Sequence, residues 1–110
     1  MAYDVELADR VRALLSAEPG VTERRMFGGL AFLVRGNMAV SASGQGGLLL
    51  RVDPAQTGTL IREPRVRRFE MRGRELAGWL RVAPEAVDTE DELRDWVRHG
   101  VAYARSLPPK

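Results

Sequence analysis

Residues 26–52 read MFGGLAFLVRGNMAVSASGQGGLLLRV, and this stretch decides the fold. Residues 30–34 form a continuous apolar run of strand length. Arg35-Gly36-Asn37 supplies hairpin-turn chemistry, and residues 38–42 read as the returning strand. Residues 43–47 hold three glycines and read as a flexible loop before a third strand over 48–52. Adjacent strands joined by short links make an antiparallel meander, and its apolar face needs a helical cover. The paired Gly28-Gly29 ahead of the first strand predicts a tight bend or close strand packing, with Met26 and Phe27 as core residues beside it.

The cover comes from the two ends of the chain. Leu7, Val11, Leu14 and Leu15 recur at helical spacing, so residues 4–17 read as a helix. Asp4 is its N-cap, and Glu18-Pro19-Gly20 stops it. At the other end Thr89 and Glu92 make a capping box. Leu93, Trp96, Val97, Gly100, Val101 and Ala104 then define the clearest amphipathic pattern in the chain, running to about residue 106. Gly100 on that face permits close approach to the sheet or the first helix.

Between these regions the signals are shorter. Residues 21–25 read as a short polar connection. Asp53 and Pro54 start a helix of about two turns. Residues 66–71 alternate in part, Gly73 turns the chain, and residues 75–82 read as a further strand weakened by Gly78. Trp79 and Trp96 are packing anchors, and residues 108–110 a flexible tail. The expectation is one α+β domain over residues 1–110. A small antiparallel sheet packs against N- and C-terminal helices.

Size and composition bound the function. A chain of 110 residues makes one domain with a radius of gyration near roughly 13 Å. It has no room for a cofactor domain paired with a substrate domain. Cysteine is absent, which excludes disulfides, thiolate metal sites and thiol nucleophiles. His99 is the single histidine, so multi-histidine metal sites are excluded as well. It sits beside the apolar face of the last helix, as a boundary residue. Ser41 and Ser43 lack a nucleophile-elbow context, and Glu90, Asp91, Glu92 and Asp95 read as helix-start chemistry. No catalytic residue, metal or cofactor is expected. Nothing reads as a signal peptide or membrane span, so the expected compartment is the cytoplasm.

The net charge of +2 hides its distribution. Residues 1–60 are neutral, residues 61–82 carry +4, and residues 83–110 carry −2. Arg65, Arg67, Arg68, Arg72 and Arg74 are therefore candidates for nucleic-acid contact. Strand alternation predicts Arg65 and Arg67 on one side and the other three opposite. The plainer reading pairs these arginines with the acidic C-terminal segment. A second candidate is a small anionic ligand held by Arg24, Arg25 and Arg35 near the Gly28-Gly29 bend.

The run from Arg25 through Met26, Phe27, Gly28, Gly29, Leu30 and Ala31 to Phe32, followed by Arg35-Gly36-Asn37-Met38, resembles the signature of the TfoX/Sxy family N-terminal domain. Arg10-Val11-Arg12, Leu50-Arg51-Val52, residues 69–73, Gly78-Trp79, Leu93, Trp96-Val97, Tyr103 and Leu107-Pro108 also look like family positions. The resemblance implies a small α+β domain. Founding members regulate natural competence with a cyclic-AMP receptor protein and carry a second, helical domain. This chain is similar to the first domain alone. The family has no agreed catalytic residues. Met26, Phe27, Gly28, Gly29, Phe32, Gly36, Asn37, Met38, Gly78, Trp79 and Trp96 are expected to set the fold. The implied function is a non-enzymatic regulatory or adaptor domain in transcriptional or competence-related regulation. It would contact a protein partner or a second copy in a homodimer, with no membrane. Direct nucleic-acid binding through residues 62–81 is the alternative, and the anionic-ligand site a further one.

Overall fold

The computed structural model describes residues 3–26 and 28–110. Helix α1 spans Val5–Leu14, and the Asp4 carboxylate accepts from the Leu7 N–H at 3.1 Å. Strands follow as β1 (Val21–Met26), β2 (Gly29–Val34), β3 (Asn37–Ala42) and β4 (Leu48–Arg51). A 3-10 turn at Pro54–Gln56 leads into the one-turn helix α2 (Thr57–Leu60), with the Asp53 carboxylate accepting from Ala55 N at 2.9 Å. Strands β5 (Val66–Met71) and β6 (Arg74–Val82) form a hairpin. A second 3-10 turn at Pro84–Val87 precedes helix α3 (Glu90–Ser106). Thr89 Oγ1 accepts from Glu92 N at 3.1 Å, the N-cap half of the capping box, and donates to the Glu92 carboxylate at 3.2 Å.

The strands make one antiparallel sheet in the order β1-β2-β3-β4-β6-β5. The fold is α+β, with α1 and α3 packed on one face. Two features depart from the sequence reading. Residues 21–25 belong to a strand and not to a polar connection. β1 is an edge strand whose central residues are all exposed, so it lacks apolar alternation, and its conformation comes from pairing with β2. The meander also breaks once. β6 returns between β4 and β5, which leaves β5 on the second edge.

The main core lies under the helices. Phe32, Val40, Leu50 and Leu80 from the sheet meet Val11 of α1 and Leu93 and Val97 of α3, all buried. A bulge fixes where α3 crosses. Phe32 faces Val40 while Leu33 faces Met38, so Ala39 is an extra residue on β3. Gly100 of α3 sits on that bulge. A Cβ there would lie 2.4 Å from the Ala39 carbonyl oxygen and 2.9 Å from a Leu50 methyl. The Gly28-Gly29 bend works similarly. Gly28 takes φ +75°, and a Cβ on Gly29 would stand 2.2 Å from the Ala42 carbonyl oxygen. Phe27 lies outside the described residues.

The residues after α3 run back along the β2–β3 turn. The Asn37 side-chain amide donates to the Pro108 carbonyl at 2.9 Å, and Lys110 N donates to the Arg35 carbonyl at 2.9 Å. Asn37 is 2% exposed, so this bond satisfies a buried amide. The radius of gyration is 12.6 Å.

The two-residue hairpin turns at 35–36 and 72–73 both read Arg-Gly. Arg35 and Gly36 have φ of 52° and 85°, and Arg72 and Gly73 have 54° and 78°. Positive φ at both central positions is the type I′ pattern, which favours Asn at the first. Arginine there carries the left-handed penalty of a side chain with a Cβ. Arg35→Asn and Arg72→Asn are each expected to stabilise by about 0.5 kcal/mol. Urea midpoints of the single and double variants check this, and the two gains should add.

Candidate functional site

The face of the sheet away from the helices is built as a row across all six strands. Register pairs join Arg24, Ala31, Ser41, Leu49, Arg81 and Arg67 in that order. The middle of the row is buried although no helix covers it: Ala31 is 0%, Ser41 1% and Leu49 4% exposed. Cover comes from neighbouring side chains on the same face. Ala31, Leu33, Met38 and Leu49 form a second apolar cluster, with partly buried Met26, Phe69 and Trp79 packed on it.

Backbone irregularities aim these covering side chains. The β5–β6 register shifts between Arg68 and Glu70, so Phe69 sits at a bulge. Trp79 follows Gly78, at φ +80°, whose N–H donates to Thr57 Oγ1 at 3.3 Å and whose carbonyl accepts from Val52 N at 2.8 Å. Ser41 on β3 and Phe69 on β5 line one cleft of about 210 Å³. Three strand spacings separate them in the sheet order, about 14 Å if flat. Leu49 of β4 and Arg81 of β6 line the same cleft between them.

Arg51 lies at the end of this face. Its guanidinium carbon is 5.2 Å from the Trp79 ring centroid and 5.6 Å from that of Tyr103, a pair of cation–π contacts tying β4 to α3. Beyond it a groove of about 570 Å³ runs along α3, bordered by Asp53, Asp95, His99 and Tyr103. His99 stands beside Trp96, with ring centroids 5.9 Å apart. Among the described residues no group of three histidine or carboxylate side chains is placed to hold a metal ion.

The structure separates the five arginines proposed for nucleic-acid contact. Arg65 precedes β5 and is drawn into an acidic network. It meets Glu63 at 3.0 Å and Glu92 at 3.0 Å, and donates to the Glu85 carbonyl at 3.1 Å. Hydrogen bonds from the Arg65 side chain and backbone hold the Glu63 carboxyl below its usual range. Those to Glu63 and Glu92 raise the Arg65 guanidinium further. Arg68 approaches Glu75 at 4.0 Å. Arg72 sits in the hairpin turn and Arg74 opens β6, at the far end of the hairpin from Arg67. The expected pairing of Arg65 with Arg67 on one strand side is corrected: Arg65 is outside the strand and bound toward α3.

The second candidate set is not brought together either. Arg24 pairs with Ala31 and Arg25 with Leu30, so strand alternation sends them to opposite faces of β1. Arg35 lies in the turn at the other end of β2. A ligand site shared by all three is excluded by this arrangement. Among the expected fold-setting residues, Phe32 and Met38 are buried on opposite faces, and Met26 and Trp79 cap the second cluster. Trp96 packs at the edge of the main core.

Three side chains at this face are not among the individual site residues that the sequence points to: Arg81, which closes the basic segment, Gln45 and Arg51. The signal for Arg81 was available. It alternates with Leu80 and Val82, which are buried under the helices, so it had to point to the opposite face. Gln45 lies in the loop at 43–47, and only the folded chain sets it beside Arg81, which donates to its side-chain oxygen.

Among the described residues no helix is long and apolar enough to cross a membrane. No curated protein matches the chain. The family model for the TfoX N-terminal domain matches residues 13–104, from the last turn of α1 to the last turn of α3, and therefore takes in the whole sheet. By that match, the chain belongs to the TfoX N-terminal domain family.

Proposed function

We propose that this domain is a non-enzymatic regulatory adaptor, acting in transcriptional or competence-related regulation by holding a protein partner on the helix-free face of its sheet. The carrying observation is the composition of that face. Met26, Phe69 and Trp79 lie half-buried over an apolar cluster, with Arg24 on one rim and Arg67 and Arg81 on the other. Aromatic residues, methionine and arginine are the types enriched at protein interfaces, and tryptophan and arginine lead among binding hot spots. The arginine rims fit a partner with an acidic surface. Family membership supports a regulatory role.

A photo-crosslinking residue placed at position 69 tests this. The expected result is capture of one protein, which when purified binds the wild-type domain. Phe69→Ala is then expected to weaken binding by about thirtyfold, the effect of losing one hot-spot side chain. Arg24→Glu adds a further loss that shrinks at high salt. Capture of a second copy alone, or binding indifferent to both substitutions, overturns the proposal. Direct nucleic-acid binding remains the second reading. Arg62, Arg67, Arg72, Arg74 and Arg81 have no carboxylate within 4.0 Å among the described residues.

A further inference from the structure

Arg67 and Arg81 are direct register partners on β5 and β6, so their side chains leave the same face side by side. Like charges directly opposite one another destabilise an antiparallel pair. Among the described residues, six other arginines are answered with acids. Arg10 meets Glu90, Arg12 meets Asp9 and Glu23, and Arg65 meets Glu63 and Glu92. Arg68, Arg94 and Arg105 have Glu75, Asp91 and Glu18. At the Arg67–Arg81 pair no carboxylate comes within 4.0 Å among the described residues, although Arg81 is partly buried.

The neighbouring loop is ordered toward this pair. Ser43 N donates to the Gly47 carbonyl at 3.0 Å, Gly46 N to the Ser43 carbonyl at 3.1 Å, and Gln45 N to Ser43 Oγ at 3.1 Å. The turn so formed presents Gln45 to the Arg81 guanidinium as a neutral acceptor. It holds one N–H of Arg81 and leaves the charge unneutralised. Three adjoining clefts of about 390, 360 and 210 Å³ share Arg81 and Gln45, and the two larger ones also include Arg67.

We propose that this corner, between the base of the β5–β6 hairpin and the 43–47 turn, binds a phosphate group between the guanidinium groups of Arg67 and Arg81. Two planar guanidinium forks match a doubly charged tetrahedral oxyanion in both charge and geometry. Binding converts a repulsive pair into two charge-assisted contacts. Burial, and then the charge of Arg67, lowers the proton affinity of Arg81, which is the electrostatic mark of an uncompensated site. Carboxylates border all three clefts, Glu85 the largest, Glu70 and Glu75 the second and Glu70 the smallest, which suits a single phosphate better than a long polyanion. A free phosphomonoester carries both charges, and a nucleic-acid backbone offers the same tetrahedral oxyanion with a single charge.

The test uses the isolated full chain, so it is independent of any protein partner. Inorganic phosphate should raise the melting temperature saturably above chloride at equal ionic strength. Arg67 is exposed, so Arg67→Gln leaves the fold intact. It should raise the melting temperature in chloride, by removing the repulsion, and weaken phosphate binding by about tenfold or more. Arg81→Gln should weaken it likewise, and Arg62→Gln should not. Amide NMR signals of Gln45, Arg67 and Arg81 then separate the sources. Shifts with a nucleoside monophosphate but not with an oligonucleotide lacking terminal phosphates identify a free phosphomonoester, and the reverse identifies a nucleic-acid backbone. An equal phosphate increment in wild type and both variants, or no localised shift with either probe, overturns the proposal.

Discussion

Replacing Phe32 with alanine is expected to remove about 3–5 kcal/mol of stability, by lost transfer energy and the cavity left behind. A domain of this size has about 5–15 kcal/mol in total, so the variant stands near the unfolding threshold. Phe32 is 0% exposed, beneath the helical layer and beside the β3 bulge, where closely packed backbone limits relaxation. Its chain neighbour Leu33 is 6% exposed and points to the opposite face, into a cluster of four buried residues covered only by side chains. Leu33→Ala is expected near about 2 kcal/mol, the low end for such a truncation, because flexible Met26 and Met38 can close over the gap. Urea unfolding of the two variants makes the comparison. Equal losses would show that the helix-free cluster is as tightly constrained as the main core, and that the methionines do not relax into the gap.

The second large effect is expected at Gly100, where two principles oppose each other. In an exposed helix interior Gly→Ala stabilises by about 1 kcal/mol. Here the new methyl group would sit 2.4 Å from the Ala39 carbonyl oxygen, which is backbone and cannot rotate aside. α3 would have to lift off the sheet where it crosses β3, and overpacking of this kind costs typically about 1–3 kcal/mol. The contact is severe enough that the steric cost wins, and Gly100→Ala is expected to lose about 2 kcal/mol net. Gly58 in α2 is the control. A Cβ there meets nothing within 4 Å, so Gly58→Ala should stabilise. Thermal melts of both variants settle the sign. A stabilised Gly100→Ala would mean that α3 is not seated on the bulge.

Local chemistry was legible in the sequence wherever it is self-contained. Asp4, Asp53 and Thr89 each cap the element they were expected to cap, because a cap needs only residues a few positions away. The strands at 30–34, 38–42 and 48–52 were legible because all their residues but Ser41 and Arg51 are buried and apolar. β1 was not, since Thr22, Glu23, Arg24 and Arg25 are all exposed and its pairing partner supplies the only reason to be extended. The candidate site was less legible for the same reason. Charge counting along residues 62–81 cannot show that Glu63 and Glu92 claim Arg65 while Arg67 and Arg81 are left facing each other. That difference arises from strand register and from α3 packing, which join residues far apart in the chain.

The break in the meander also governs how the molecule can assemble. Four of the five strand pairings join neighbours in the sequence through turns or short loops. Only the pairing of β4 with β6, where Arg51 meets Trp79, reaches across an intervening helix and strand. Contacts between distant segments demand a loop-closure entropy that local hairpins escape. In the sheet that demand falls on a single seam. The β5–β6 hairpin is too small to be stable by itself, so it depends on that seam for its place in the fold. The row of side chains from Arg24 to Arg67 exists only once the seam has closed.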